Sequence, residues 1–196
     1  LWGVRGSYPS PGKNTVHFGG NTTCLEISVG NAVIIFDAGT GIIPLGNRIV
    51  QDFLDNKREI LELTIMFTHL HHDHTQGLPF FPPLFLGRSL IHMFGPRNFD
   101  HELARVLEQS MTPPNFPLDL HQTGSAKDLR TVRESDMILM DSERLTPALH
   151  NRFQQAFQVK ESSVVINIMR DYSHPADGVL VYRVQYQGKT VVFATD

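Results

Sequence analysis

Thr-His-Leu-His-His-Asp-His (68–74) is the stretch of this 196-residue chain whose reading decides the fold. It follows an apolar run, 62–67, in which Leu63, Ile65 and Phe67 alternate with Thr64 and Met66, the pattern of a largely buried strand. In extended backbone, positions i and i+2 point the same way, so His69 and His71 can close on one ion. Asp73 and His74 come one tight turn later and can face a second ion. Imidazole with carboxylate suits Zn(II) first, with Mn(II) or Fe(II) as the other candidates. Ligand-type residues so spaced at a strand end are not the pattern of a polar loop with chance histidines. His72 has no partner in the array and reads as a supporting or exposed residue.

Upstream of that stretch, Leu25, Ile27 and Val29 alternate with Cys24, Glu26 and Ser28 in a strand expected over 22–29. Gly30-Asn31 is a hairpin turn into a nearly continuous apolar strand over 32–36. Asp37 ends that strand before Ala38-Gly39-Thr40-Gly41. The Gly-x-Gly there is too short for a nucleotide fingerprint, so Asp37 is read as bonding the turn and supporting the neighbouring metal loop. Pro44 fits the first turn of a helix reaching about residue 57, with Leu45, Ile49 and Phe53 on its core face and Val50 and Leu54 widening it.

Several segments carry a resemblance beyond the histidine array. They are Trp-Gly-Val-Arg-Gly-Ser (2–7), Gly-Gly-Asn-Thr-Thr-Cys (19–24), Phe-Asp-Ala-Gly-Thr-Gly (36–41), Gly-Leu-Pro-Phe-Phe (77–81), Ser-His-Pro (173–175) and Val-Val-Phe-Ala-Thr-Asp (191–196). In that order the chain resembles the metallo-β-lactamase fold superfamily, close to ribonuclease Z and the cyclic-nucleotide phosphodiesterases. The region 124–162 matches least. The resemblance implies a four-layer αββα sandwich, where the pattern alone supports α+β or mixed α/β. It implies two further ligands: His174, completing a first site with His69 and His71, and Asp196, bridging to a second site with Asp73 and His74. It also implies that 1–196 is one domain cut at both ends, with a last ligand histidine beyond residue 196.

Twenty acidic against seventeen basic side chains give a net charge of −3, which offers no general pull toward nucleic acid. A 41% hydrophobic and 19% charged composition is that of a soluble globular chain. The single cysteine, Cys24, cannot form an internal disulfide. No apolar run reaches the roughly 18 residues of a membrane span. The reading is therefore cytoplasmic, without membrane contact.

Downstream, the apolar, proline-interrupted stretch 77–87 reads as a wall beside the site or a homodimer contact rather than a membrane-touching patch. A strand over 90–94, a helix over 98–109 capped by Asn98, and two short strands over 129–133 and 137–140 are expected. Thr146-Pro147 is expected to open an amphipathic helix with Leu149, Phe153, Ala156 and Phe157 on one face. A strand over 163–169 and a hairpin, 179–186 and 190–194, around Gln187-Gly188 close the chain. His92, His101 and His121 read as structural or exposed.

The function expected is a dinuclear metal-dependent hydrolase that uses a metal-bridging hydroxide as nucleophile. The resemblance supplies its bond class, a phosphodiester, with a small phosphodiester or nucleotide as substrate. Asp73 is the candidate to orient the water and move its proton. No nucleophilic triad or activated cysteine competes. The alternatives are a thioester or lactam hydrolase of the same fold, and a non-catalytic metal-stabilised binding or sensor module.

Overall fold

The computed structural model describes residues 1–97, 101–141, 146–153, 159–173 and 178–196. Its first sheet has five strands in the order of the chain: β1 (Leu25–Val29), β2 (Ala32–Phe36), β3 (Leu61–Met66), β4 (Ser89–Gly95) and β5 (Ala126–Thr131). The β1–β2 pair is an antiparallel hairpin turning at Gly30, where φ is +57°. From β2 onward the strands run parallel. Parallel neighbours need crossovers. Helix α1 (Ile42–Asp55) makes the first, the one-turn α2 (His72–Thr75) with two 3-10 turns lies in the second, and α3 (Leu103–Ser110) in the third.

The second sheet is wholly antiparallel, in the order β10 (Lys189–Phe193), β9 (Val179–Tyr186), β8 (Ser163–Asp171), β6 (Asp136–Asp141) and β7 (Ala148–Asn151). The chain is thus mixed α/β, with two sheets and few helices.

Two cores follow from the two periods of the sequence. Ile42, Leu45, Ile49 and Phe53 of α1 bury against Leu63, Ile65, Ile91 and Met93 of the first sheet. Leu54, expected to widen that helix face, is exposed instead. The opposite side chains of the same strands, Ile34, Phe36, Met66 and Phe94, meet Ile138, Met140, Val164, Ile166, Ile168 and Tyr182 of the second sheet. Each such aliphatic or aromatic side chain contributes about 1.5–3 kcal/mol on full burial. On its other side the second sheet carries Asn167, Met169, Arg183 and Gln185, and no helix covers it among the described residues. The layers seen are therefore helices, sheet, sheet. No helix among the described residues is long and apolar enough to cross a membrane.

One expected element is overturned. The segment from Thr146 is a strand, not a helix: Ala148–Asn151 pairs with β6, Leu149 opposite Ile138 and His150 opposite Met137. Leu149 packs on the core while Phe153, on the same supposed helix face, is 83% exposed. Their four-residue spacing imitated a helical stripe, and cross-strand pairing prevailed over local pattern. Ala156 and Phe157 lie outside the described residues, as does Asn98. The third helix starts later than expected, at Leu103.

The sheets are stitched together at the end of β3. Buried Tyr182 on β9 donates its hydroxyl to the Phe67 carbonyl (2.7 Å), and Leu180 N–H donates to the Thr68 carbonyl (2.8 Å). Tyr182→Phe keeps the ring and strands the Phe67 carbonyl. It should cost about 1–3 kcal/mol, read as a lower urea midpoint at unchanged slope. A wild-type midpoint would show that this bond does not tie the sheets.

Candidate metal centre

Strands β2 and β3 end in register, Phe36 beside Met66, so the residues after them leave the sheet side by side. Ligands of parallel sheets collect beyond such carboxyl ends. Asp37 turns the chain there with φ +60°, its N–H bonded to the Met66 carbonyl (2.9 Å). Its carboxylate is fully buried. Oδ1 accepts Thr68 N–H (2.8 Å), and Oδ2 accepts Thr68 Oγ1–H (2.8 Å) and His74 Nδ1–H (2.8 Å).

The backbone repeats the clamp. Ala38 N–H donates to the His74 carbonyl (2.7 Å) and Gly77 N–H to the Ala38 carbonyl (2.8 Å). The approach is so close that a Cβ on Gly39 would stand 2.5 Å from the Asp73 carbonyl oxygen, and one on Gly77 would stand 2.2 Å from that of Gly39. Only glycine fits at either place.

These bonds orient the imidazoles. His69 Nδ1 lies 3.1 Å from Thr68 Oγ1, which already gives its hydrogen to Asp37, so Nδ1–H is the donor. With His69 and His74 both protonated at Nδ1, their Nε2 atoms carry the lone pairs. Nε2 of His69 is 3.6 Å from Asp196 Oδ2, while Nε2 of His74 is 3.4 Å from Asp196 Oδ1 and 3.5 Å from Asp73 Oδ2. Among the described residues, buried His74 Nε2 has no hydrogen-bond partner.

Donor atoms of His69, His74 and Asp196 all lie within 4.8 Å of one another. Two ligand atoms about 2.0–2.1 Å from one tetrahedral ion stand about 3.4 Å apart. The separations here are too long for good hydrogen bonds and match that spacing, so this donor set fits a divalent cation.

Ribonuclease Z of Pyrococcus horikoshii is 24% identical over 162 residues, 78% of this chain and 46% of that protein. Two Synechococcus ribonuclease Z proteins are each 28% identical. That of strain CC9311 aligns over 70% of this chain and 42% of its own length, and that of strain WH7803 over 81% and 46%. The chain is similar in sequence to these ribonuclease Z proteins. This agrees with the superfamily resemblance carried by its motifs. The chain spans less than half the length of the curated relatives it matches. No protein-family model matches it, and no solved structure matches it at a significant level.

Among the other residues expected at the site, His71 is exposed beside His69, ring centroids 4.6 Å apart, and outside the three-residue cluster. Asp73 is nearly buried, and its Oδ2 accepts the Ser7 N–H (2.7 Å) from a turn where Ser7 has φ +65°. His174 lies outside the described residues. Reading from sequence missed Thr68 and the Ser7 amide. The first is an ordinary hydroxyl beside the array, and the second contributes backbone alone.

Burial lowers the His74 imidazole's proton affinity, but the Asp37 hydrogen bond and the charges of Asp37, Asp196 and Asp73 outweigh it and hold the ring above the usual histidine value. Carboxylates that hold a proton there also favour a cation. Burial pushes the Cys24 thiol well up, which agrees with its exclusion as a nucleophile.

Asp37→Asn preserves shape but removes the charge that orients His74. Metal affinity, measured by chelator competition, should fall about 10–100-fold. Unchanged affinity would make Asp37 a purely structural turn residue.

Proposed function

We propose that this chain is the core of a divalent-metal-dependent hydrolase of phosphodiester bonds, with RNA or a small nucleotide-type diester as substrate. The observation that carries the reading is the aspect of Asp196: one carboxylate oxygen faces His69 and the other faces His74. A carboxylate with one oxygen toward each imidazole could serve a single cation or link two, and the likeness to the metallo-β-lactamase superfamily favours two. His69, His71, His174 and Asp196 would hold the first, and Asp73, His74 and Asp196 the second, with Zn(II) as the leading metal and Mn(II) or Fe(II) as alternatives. When bound, such a pair supplies charge that polarises a phosphoryl oxygen and lowers the pKa of a water poised to attack it.

The chain's own residues supply orientation. Asp37 and Thr68 fix the two imidazole rings. The Ser7 amide holds one oxygen of Asp73, and with metal bound that carboxylate would orient the water and take its proton. Bond class comes from the ribonuclease Z likeness, since the same donors serve acyl transfer in principle. The reading extends to architecture: residues 1–196 form one metallo-β-lactamase-like domain, and the fourth layer of an αββα sandwich would cover the open face of the second sheet.

Two measurements test this. Replacing His69 and His71 together by Ala should strip metal and abolish hydrolysis; a double variant with wild-type metal content and rate would sink the assignment. The wild-type, metal-loaded protein should turn over bis(p-nitrophenyl) phosphate faster than a comparable thioester or lactam. The reverse ranking would move it to the acyl hydrolases.

A further inference from the structure

Beside the histidine array, a cavity of about 380 Å³ opens against helix α2. The helix turn separates two neighbourhoods: Asp73 and His74 lie on the metal side, while His72, Thr75 and Gln76 line the cavity. Its other side is aromatic. Phe80 and Phe116 meet edge to face, ring centroids 5.8 Å apart and planes at 82°. Phe80 is 58% exposed, an uncovered ring in a stretch whose Leu78, Phe81 and Leu84 are fully buried.

No Asp, Glu, Lys or Arg lines the cavity among the described residues. Phosphate would call for cations or a nest of amides, and a metal ion for carboxylates. The Asn115 amide offers both a donor and an acceptor, and Gln76, which donates through Nε2 to Thr22 Oγ1 (3.2 Å), keeps its Oε1 as an acceptor. A stackable ring with neutral amide edges suits a flat, uncharged heterocycle.

We propose that this cavity binds a nucleobase of the substrate, next to the phosphodiester being cleaved. The proposal rests on the phosphodiesterase reading for its substrate class, and on the cavity's own lining for the base. The metal cluster lies across one turn of helix, roughly 10 Å including side chains, so the base belongs to a nucleoside attached to the scissile phosphate or one step along the strand. Phe80 supplies the stack and Asn115 reads the base edge, which makes both specificity residues.

The test uses two readouts. Adenosine 5′-(p-nitrophenyl phosphate) and methyl p-nitrophenyl phosphate are compared on the metal-loaded protein and on its Phe80→Ala and Asn115→Ala variants. The wild type should prefer the adenosine ester, and the ratio of the two kcat/KM values should fall roughly ten-fold in Phe80→Ala, the size of one lost base stack. Adenosine alone, titrated by equilibrium dialysis, should bind the wild type and bind Phe80→Ala several-fold more weakly. Phe80-dependent adenosine binding without hydrolysis of either ester would uphold the pocket and overturn the hydrolase reading. Absent or Phe80-independent adenosine binding would overturn the pocket, whichever ester is cleaved.

Discussion

A buried carboxylate with three donors is costly to leave unpaired, and Asp37 is the point on which the rest of this structure depends. Its oxygens are satisfied only if Thr68 and His74 stand where they do, and those two flank the histidine array. Thr68 then fixes His69, while Gly39 and Gly77 permit the backbones to touch. A backbone shift of an ångström would leave a charge buried without partners. That penalty makes the loop rigid before any cation arrives, which is what a metal centre needs from its surroundings.

The same loop is gripped from the other side. Tyr182 and Leu180 reach from β9 to the Phe67 and Thr68 carbonyls, so both sheets position the array. The parallel first sheet sends its strand ends to one edge, and the antiparallel second sheet closes over that edge with Asp196 just after β10. The candidate site therefore sits at the seam of the sandwich rather than in either sheet alone.

What could be read from sequence was short in range. Alternation before His69, turn chemistry at Gly30-Asn31 and Gln187-Gly188, and the four-residue stripe of the first helix each depend on neighbours within a few positions. These yielded two hairpins, the central strand and the helix over it. The segment at Leu149 defeated the same logic because an edge strand beside β6 tolerates a helical spacing by chance. Within the site, the array and the supporting role of Asp37 were legible as residue types. The Ser7 amide and the Thr68 hydroxyl were not, since they arise from chain crossings that local pattern does not encode, and the place of Asp196 between the two rings was expected only through the family resemblance.

Those crossings bear on how the molecule comes to exist. The Ser7–Asp73 bond joins positions 66 apart in sequence, and the Tyr182–Phe67 bond positions 115 apart. Closing such loops is an entropic cost met before the contacts return anything, so topologies of this kind fold slowly. A half-folded chain holds only the His-x-His-x-Asp-His array, without the carboxylate that faces both rings. A cation that requires the whole donor set would then act as a late latch, adding its binding energy to the finished fold alone.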